Sequence, residues 1–178
     1  VYAVNAGAEE VLSFEWVFYA GNWFEEKNLV APSANFLLRN GTSSRTAFQI
    51  NEHFEYYGSY LNRACYNETA TITLHCLNKH VNELLPVVKE LITDSMMPQE
   101  ELDIYRQNMK QRLEVNLKKC DVVANRIIDE LVYGPEHPYG KNNTLEMFDH
   151  LTTGEIKHFY QRYYNQGKCI IFVAGILP

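Results

Sequence analysis

Residues 59–77 read SYLNRACYNETATITLHCL, and the spacing of their apolar side chains decides the class of fold. From Thr69 onward Ala70, Ile72, Leu74 and Cys76 fall on every second position. Successive side chains of a strand point to opposite faces, so these four share one face. With 59–66 as the preceding strand, the stretch predicts an antiparallel hairpin. Beyond it the period changes. Helices are expected at about 79–94, 99–119 and 121–133, the last stopped by Gly134 and the turn 134-GPEHPYG-140. A capping box, 152-TTGE-155, opens a final helix that hands over to the strand 168-KCIIFVAG-175, whose β-branched content suits a buried strand.

On the other side of the hairpin, 46-TAFQ-49 is a second capping box. Its helix runs to Gly58 and buries Ala47, Ile50 and Phe54. Before it, residues 29–39 place Val30, Ala34, Leu37 and Leu38 at helical spacing, until Gly41 stops them. The segments 1-VYAV-4 and 11-VLSFEWVFYAG-21 are expected to form a strand pair around the turn 5-NAGAEE-10. Strands, then helices, then a closing strand predict an α+β domain over 1–178. Its largely antiparallel sheet would carry helices on one face, as a two-layer sandwich.

Composition narrows the function. The 178 residues carry 16 Lys+Arg against 22 Asp+Glu, a net charge of −6, and no basic run that could track phosphates. Nucleic acid is excluded as an expected partner. The longest apolar run, 169-CIIFVAGIL-177, is far too short for a bilayer, so no membrane insertion is expected. The sequence starts at Val1 without an initiator Met, so a targeting peptide is not visible. Four scattered cysteines lack zinc-like spacing and read as free thiols of a reducing compartment, and a cytoplasmic location is the expectation.

Four local patterns, in order, resemble the pitrilysin/insulinase (M16) family of zinc peptidases. They are 41-GTSSRTAFQINEHFEYYGSYLN-62, 84-LLPVVKELITDSMMPQEELDIYRQ-107, 133-YGPEHPYGKN-142 and 158-HFYQRYYNQGKCIIFVAG-175. The resemblance implies the mitochondrial-processing-peptidase-like metallohydrolase fold, and a second domain of like fold after residue 178. In that family a helix before the Gly-Thr turn carries His-x-x-Glu-His. Two histidines bind zinc there, and the glutamate acts on the metal-bound water. Counted back from Gly41, the motif falls on 32-PSANF-36, with Pro32 and Phe36 at the ligand positions and Asn35 at the base. The third ligand falls on Arg112, beside Gln111. The nearest carboxylate, Glu114, lies about 200° around the helix. Pro and Phe offer zinc no lone pair, an amide takes no proton at neutral pH, and a guanidinium repels a cation. No catalytic residue, metal ligand or cofactor is therefore expected in this chain, although zinc is the family's metal.

The resemblance also implies a peptide-binding edge, where Gly58, Tyr60, Leu61 and Asn62 match the family's Gly-x-x-Leu-Asn strand and a peptide adds as a further strand. Arg63 and Cys65 depart from the small or hydroxyl residues usual there, and Asn62 as a plain hairpin residue remains the alternative. Among the 6 histidines, His75, Cys76 and His80 do not share a face, His53 sits on a solvated helix face, and His137 suits a turn contact. His150 and His158 have no partner at ligand spacing. Ser43 and Ser44 suit the start of a helix. The expected role is a peptide-binding or chamber-closing subunit, without catalysis of its own, beside a zinc-bearing partner chain or a second copy. A peptidase with ligands elsewhere, and a purely structural scaffold, are the alternatives.

Overall fold

The computed structural model describes residues 10–175. The strand expected at 1–4 lies outside them. Four strands, β1 (Val11–Phe18), β2 (Tyr60–Cys65), β3 (Ala70–Leu77) and β4 (Cys169–Ala174), form one antiparallel sheet in the order β2-β3-β1-β4. The register sets Leu12, Phe14, Trp16 and Phe18 of β1 opposite Cys76, Leu74, Ile72 and Ala70 of β3. All eight are buried. The expected alternation of the hairpin thus becomes one apolar face shared by two strands.

The α-helices among the described residues are α1 (Val30–Leu37), α2 (Ala47–Tyr56), α3 (Val81–Thr93), α4 (Gln99–Asn116), α5 (Cys120–Tyr133), α6 (Leu145–Asp149) and α7 (Thr153–Tyr160). Leu37 and Leu38 from the first helix, Leu84, Val88 and Leu91 from α3, and Ile156 from α7 join the strands in a single core. Both capping boxes form as expected, at Thr46 with Gln49 and at Thr152 with Glu155. Pro32 leaves α1 intact because it stands in the first turn, where a backbone N–H has no helical acceptor in any case.

Two features depart from expectation. The strand 169–174 is exposed along its whole length, not buried. Among the described residues it is the sheet's edge, paired to β1 alone, so its β-branched residues reflect strand propensity without enclosure there. In addition, α7 runs on into a π-helical turn, Gln161–Asn165, which rotates Tyr164 into the core.

The Gly-Thr turn is tied to the third helix. Gly41 adopts φ 130°, a conformation open to glycine, and next to it Thr42, Ser44 and the Arg45 guanidinium all donate to the Glu90 carboxylate. Ser43 donates to Asp94. Bonds to a charged acceptor are stronger than neutral ones, so Glu90→Ala should cost about 2–3 kcal/mol in urea denaturation. A loss below about 0.5 kcal/mol would mean that the turn stands without this anchor.

Candidate functional site

The first helix begins under strain and is capped by a carboxylate. Leu29, at its N-cap, holds φ 73° with its side chain buried. The Glu25 carboxylate accepts from the Ala31 N–H at 2.9 Å, in the place where a helix concentrates positive partial charge. Burial nevertheless dominates. It pushes the Glu25 carboxyl up to about 7, against the pull of the helix amides and of Lys141.

Asn35 is 4 % exposed and faces the sheet. Its amide donates to the Tyr164 hydroxyl at 3.1 Å and to the Thr71 carbonyl at 3.4 Å. Tyr164 is fully enclosed, and burial holds its hydroxyl far above the ordinary tyrosine range, so it remains a neutral phenol. One residue on, Phe36 packs its ring on Tyr105 of α4 with centroids 4.8 Å apart. The Arg63 guanidinium lies over the same ring at 5.1 Å and donates to the Phe36 carbonyl. Burial pushes the Tyr105 hydroxyl up to about 12. Arg112 stands seven residues beyond Tyr105, about two helical turns on and so on the same side, with its side chain exposed.

These side chains do not fit a zinc ion. The four positions carry a pyrrolidine, an amide already bonded to Tyr164, a benzene ring and a guanidinium, none of which offers the anionic or imidazole donors that zinc requires. Asn35 cannot take up a proton from water either, and its amide is oriented by two buried acceptors. What the arrangement can do is hold α1 against the sheet.

The four residues expected at a peptide-binding edge lie together. Among the described residues, β2 is an outer strand of the sheet, paired to β3 on one side. Tyr60, 62 % exposed, and Asn62 project from the face away from the helices, whereas Leu61 is buried in the core. Gly58 ends α2 with φ 58°, donating to the Glu55 carbonyl while Ser59 donates to that of Phe54. This double closure is the Schellman pattern, so Gly58 has a structural reason of its own. The bond from Tyr66 N–H to the Thr69 carbonyl, 2.8 Å, fixes the alternation of the ladder. Leu61, Arg63 and Cys65 consequently turn their backbone groups outward. Arg39 reaches that edge and donates to the Leu61 carbonyl at 3.2 Å.

The two departures from the family pattern both face inward, on the same side of the strand as Leu61. Burial pushes the Cys65 thiol up to about 12, with the Glu25 charge adding to it, which leaves the sulfur unreactive. Burial also lowers Arg63 to about 10, and the like charge of Arg39 contributes. His53 is not buried, and its ring contacts the Glu83 carbonyl at 3.0 Å and packs on Tyr57. His137 makes the expected turn contact, its Nδ1 accepting from Tyr139 N–H at 3.2 Å. Tyr105, Tyr164 and Arg39 were not anticipated. The two-turn spacing of Tyr105 and Arg112 was a usable signal, but the π-helical turn that delivers Tyr164 has none in the sequence.

Comparison with known proteins agrees with this architecture. The sequence profile of the insulinase family, peptidase family M16, matches residues 17–135. The chain belongs to that family. It is 26 % identical over 140 residues to an uncharacterised zinc protease of Rickettsia felis, covering 76 % of this chain and 33 % of that protein. It is 23 % identical over 182 residues to a probable mitochondrial-processing peptidase subunit beta of Arabidopsis thaliana, covering 96 % of this chain and 33 % of that one. The chain thus spans about a third of the length of these curated relatives. In fold it is similar to an M16 inactive domain from Pseudomonas fluorescens, with TM-score 0.84 and 21 % identity, over 92 % of this chain and 41 % of that one.

Replacing Asn35 by Ala removes the partner of a buried phenol, and should cost about 1–3 kcal/mol in chemical denaturation. The double change with Tyr164→Phe should recover part of that loss. Glu25 supplies a pH test. Its folded value is raised from the ordinary 4.5 to about 7, so the folded chain holds the proton more tightly than the unfolded chain does. The stability this provides is complete below pH 4.5 and is lost as the pH rises through about 7. Between those values the urea midpoint should fall in the parent chain and fall less in Glu25→Gln.

Proposed function

We propose that this chain is an M16-family domain without metal or catalytic residues of its own. In this reading it is a peptide-binding or chamber-closing subunit that works beside a zinc-bearing chain of the family. The observation that carries the reading is the commitment of Asn35 to Tyr164, with Phe36 packed between Tyr105 and Arg63. A zinc-activated water needs a carboxylate and nitrogen ligands in that place, and an amide and an aromatic ring stand there instead. Two likenesses support the role. The Pseudomonas domain is described as inactive, and the Arabidopsis relative as one subunit of a peptidase.

Substrate recognition, in this reading, stays with the outer edge of β2. An extended peptide can add there through main-chain hydrogen bonds, near Gly58, Tyr60, Leu61 and Asn62. A second domain of like fold follows in the whole protein, a view supported by the greater length of the curated relatives. The four cysteines are free thiols, which suits a reducing compartment such as the cytoplasm.

The test combines activity with mass. The chain alone, supplied with zinc, should leave a fluorogenic peptide intact. Mixed with a family member that keeps His-x-x-Glu-His, it should shift to a two-chain mass in a native mass spectrum. Zinc-dependent hydrolysis by the chain alone would overturn the reading, and failure to pair with such members would leave it a structural scaffold and not a subunit.

A further inference from the structure

Arg39 and Arg63 converge where α1 meets the outer edge of β2, and among the described residues no carboxylate meets them there. Arg39 uses one donor on the Leu61 carbonyl, and Arg63 uses one on the carbonyl of Phe36. A guanidinium has five N–H donors, so most of each fork remains free. The Arg39 Nε is buried and has no hydrogen-bond partner among the described residues. Among the described residues, neither guanidinium lies within ion-pair distance of an acid. Glu55 of α2 acts on Arg39 only through space, and the buried Tyr164 hydroxyl lies near Arg63. The carbonyls at the end of α1 carry about half a negative charge, which does not balance two cations.

The setting makes the imbalance consequential. The chain as a whole has a net charge of −6, so this spot is positive against an acidic background. Both side chains are half-buried and braced on aromatic rings, Arg39 at 5.9 Å from Phe54 and Arg63 at 5.1 Å from Phe36. Partial burial strengthens any charge that reaches them. Their mutual repulsion is relieved when an anion arrives. A strand laid along β2 would pair with the outward groups of Leu61, Arg63 and Cys65, and every second side chain would then point to the helix-covered side, where the guanidinium groups wait. The Leu61 carbonyl keeps a second lone pair for that pairing.

Resting on the reading of the β2 edge as a peptide dock, we propose that this edge selects extended segments bearing acidic side chains, and that Arg39 and Arg63 together receive one of their carboxylates. The pair is a specificity device. A neutral strand finds only main-chain bonds at the edge, whereas an acidic one also gains charge-assisted bonds to two forks.

The test uses the full chain and two rhodamine-labelled, C-terminally amidated peptides of equal length, one alternating Thr with Glu and the other Thr with Gln. Fluorescence anisotropy at low salt should show the Glu peptide binding about tenfold more tightly, and the gap should shrink as salt screens it. Arg39→Gln combined with Arg63→Gln should bring the two affinities together, while Arg63→Lys, which keeps the charge, should retain most of the gap. Equal affinities in the parent chain would overturn the acidic preference and leave the edge a dock. Binding of neither peptide would overturn the dock and the preference with it. A preference that persists in the double variant would overturn the assignment to these two arginines.

Discussion

Pairing of β1 with β3 on one edge and β4 on the other gathers Leu12, Phe14, Trp16 and Phe18 into a single apolar layer beside Ile72 and Leu74. That layer must be covered, and the helices cover it. The position of α1 follows, because Val30, Ala34, Leu37 and Leu38 bury themselves on the sheet and thereby turn Asn35 toward Thr71. A polar side chain carried into such a place needs partners. Tyr164 and the Thr71 carbonyl supply them, and the π-helical turn exists at the point in the chain where Tyr164 has to be delivered.

The same constraint shapes the outer edge. Burial of Leu61 anchors β2 beside the first helix, so the inward residues of that strand meet the C-terminal end of α1. Arg63 and Arg39 brace the junction through carbonyl groups, which leaves their charges without an acid among the described residues. The edge therefore keeps the geometry to pair with another strand while acquiring a local positive field. In the function proposed above, the place where the family's reaction needs a metal and a base is given over to packing. Among the described residues, the outer side of β2 is left without a partner strand.

Much of this was legible in the sequence. Period-two spacing in 70–76 and the two capping boxes located their elements, because both signals arise from local geometry. That Pro32, Asn35, Phe36 and Arg112 carry no zinc-type donor is read from their chemistry alone, once a resemblance supplies the register. The exposure of β4 was not legible, since β-branched residues favour an edge strand as much as a central one. Nor was the packing of Tyr105 and Tyr164 around the first helix, which depends on contacts 69 and more positions apart in the chain, from Phe36 to Tyr105 and from Asn35 to Tyr164. Glu25 was missed for a related reason. Its capping role requires the chain to double back through the strained Leu29, and no local pattern encodes that.

The central claim is that α1 and its neighbours have no place for a metal. Zinc content of the purified chain, measured after equilibration with excess zinc and removal of the unbound ion, tests it most directly. The account predicts far less than one equivalent per chain. Stoichiometric zinc, lost when Asn35 or its neighbours on α1 are replaced, would contradict it.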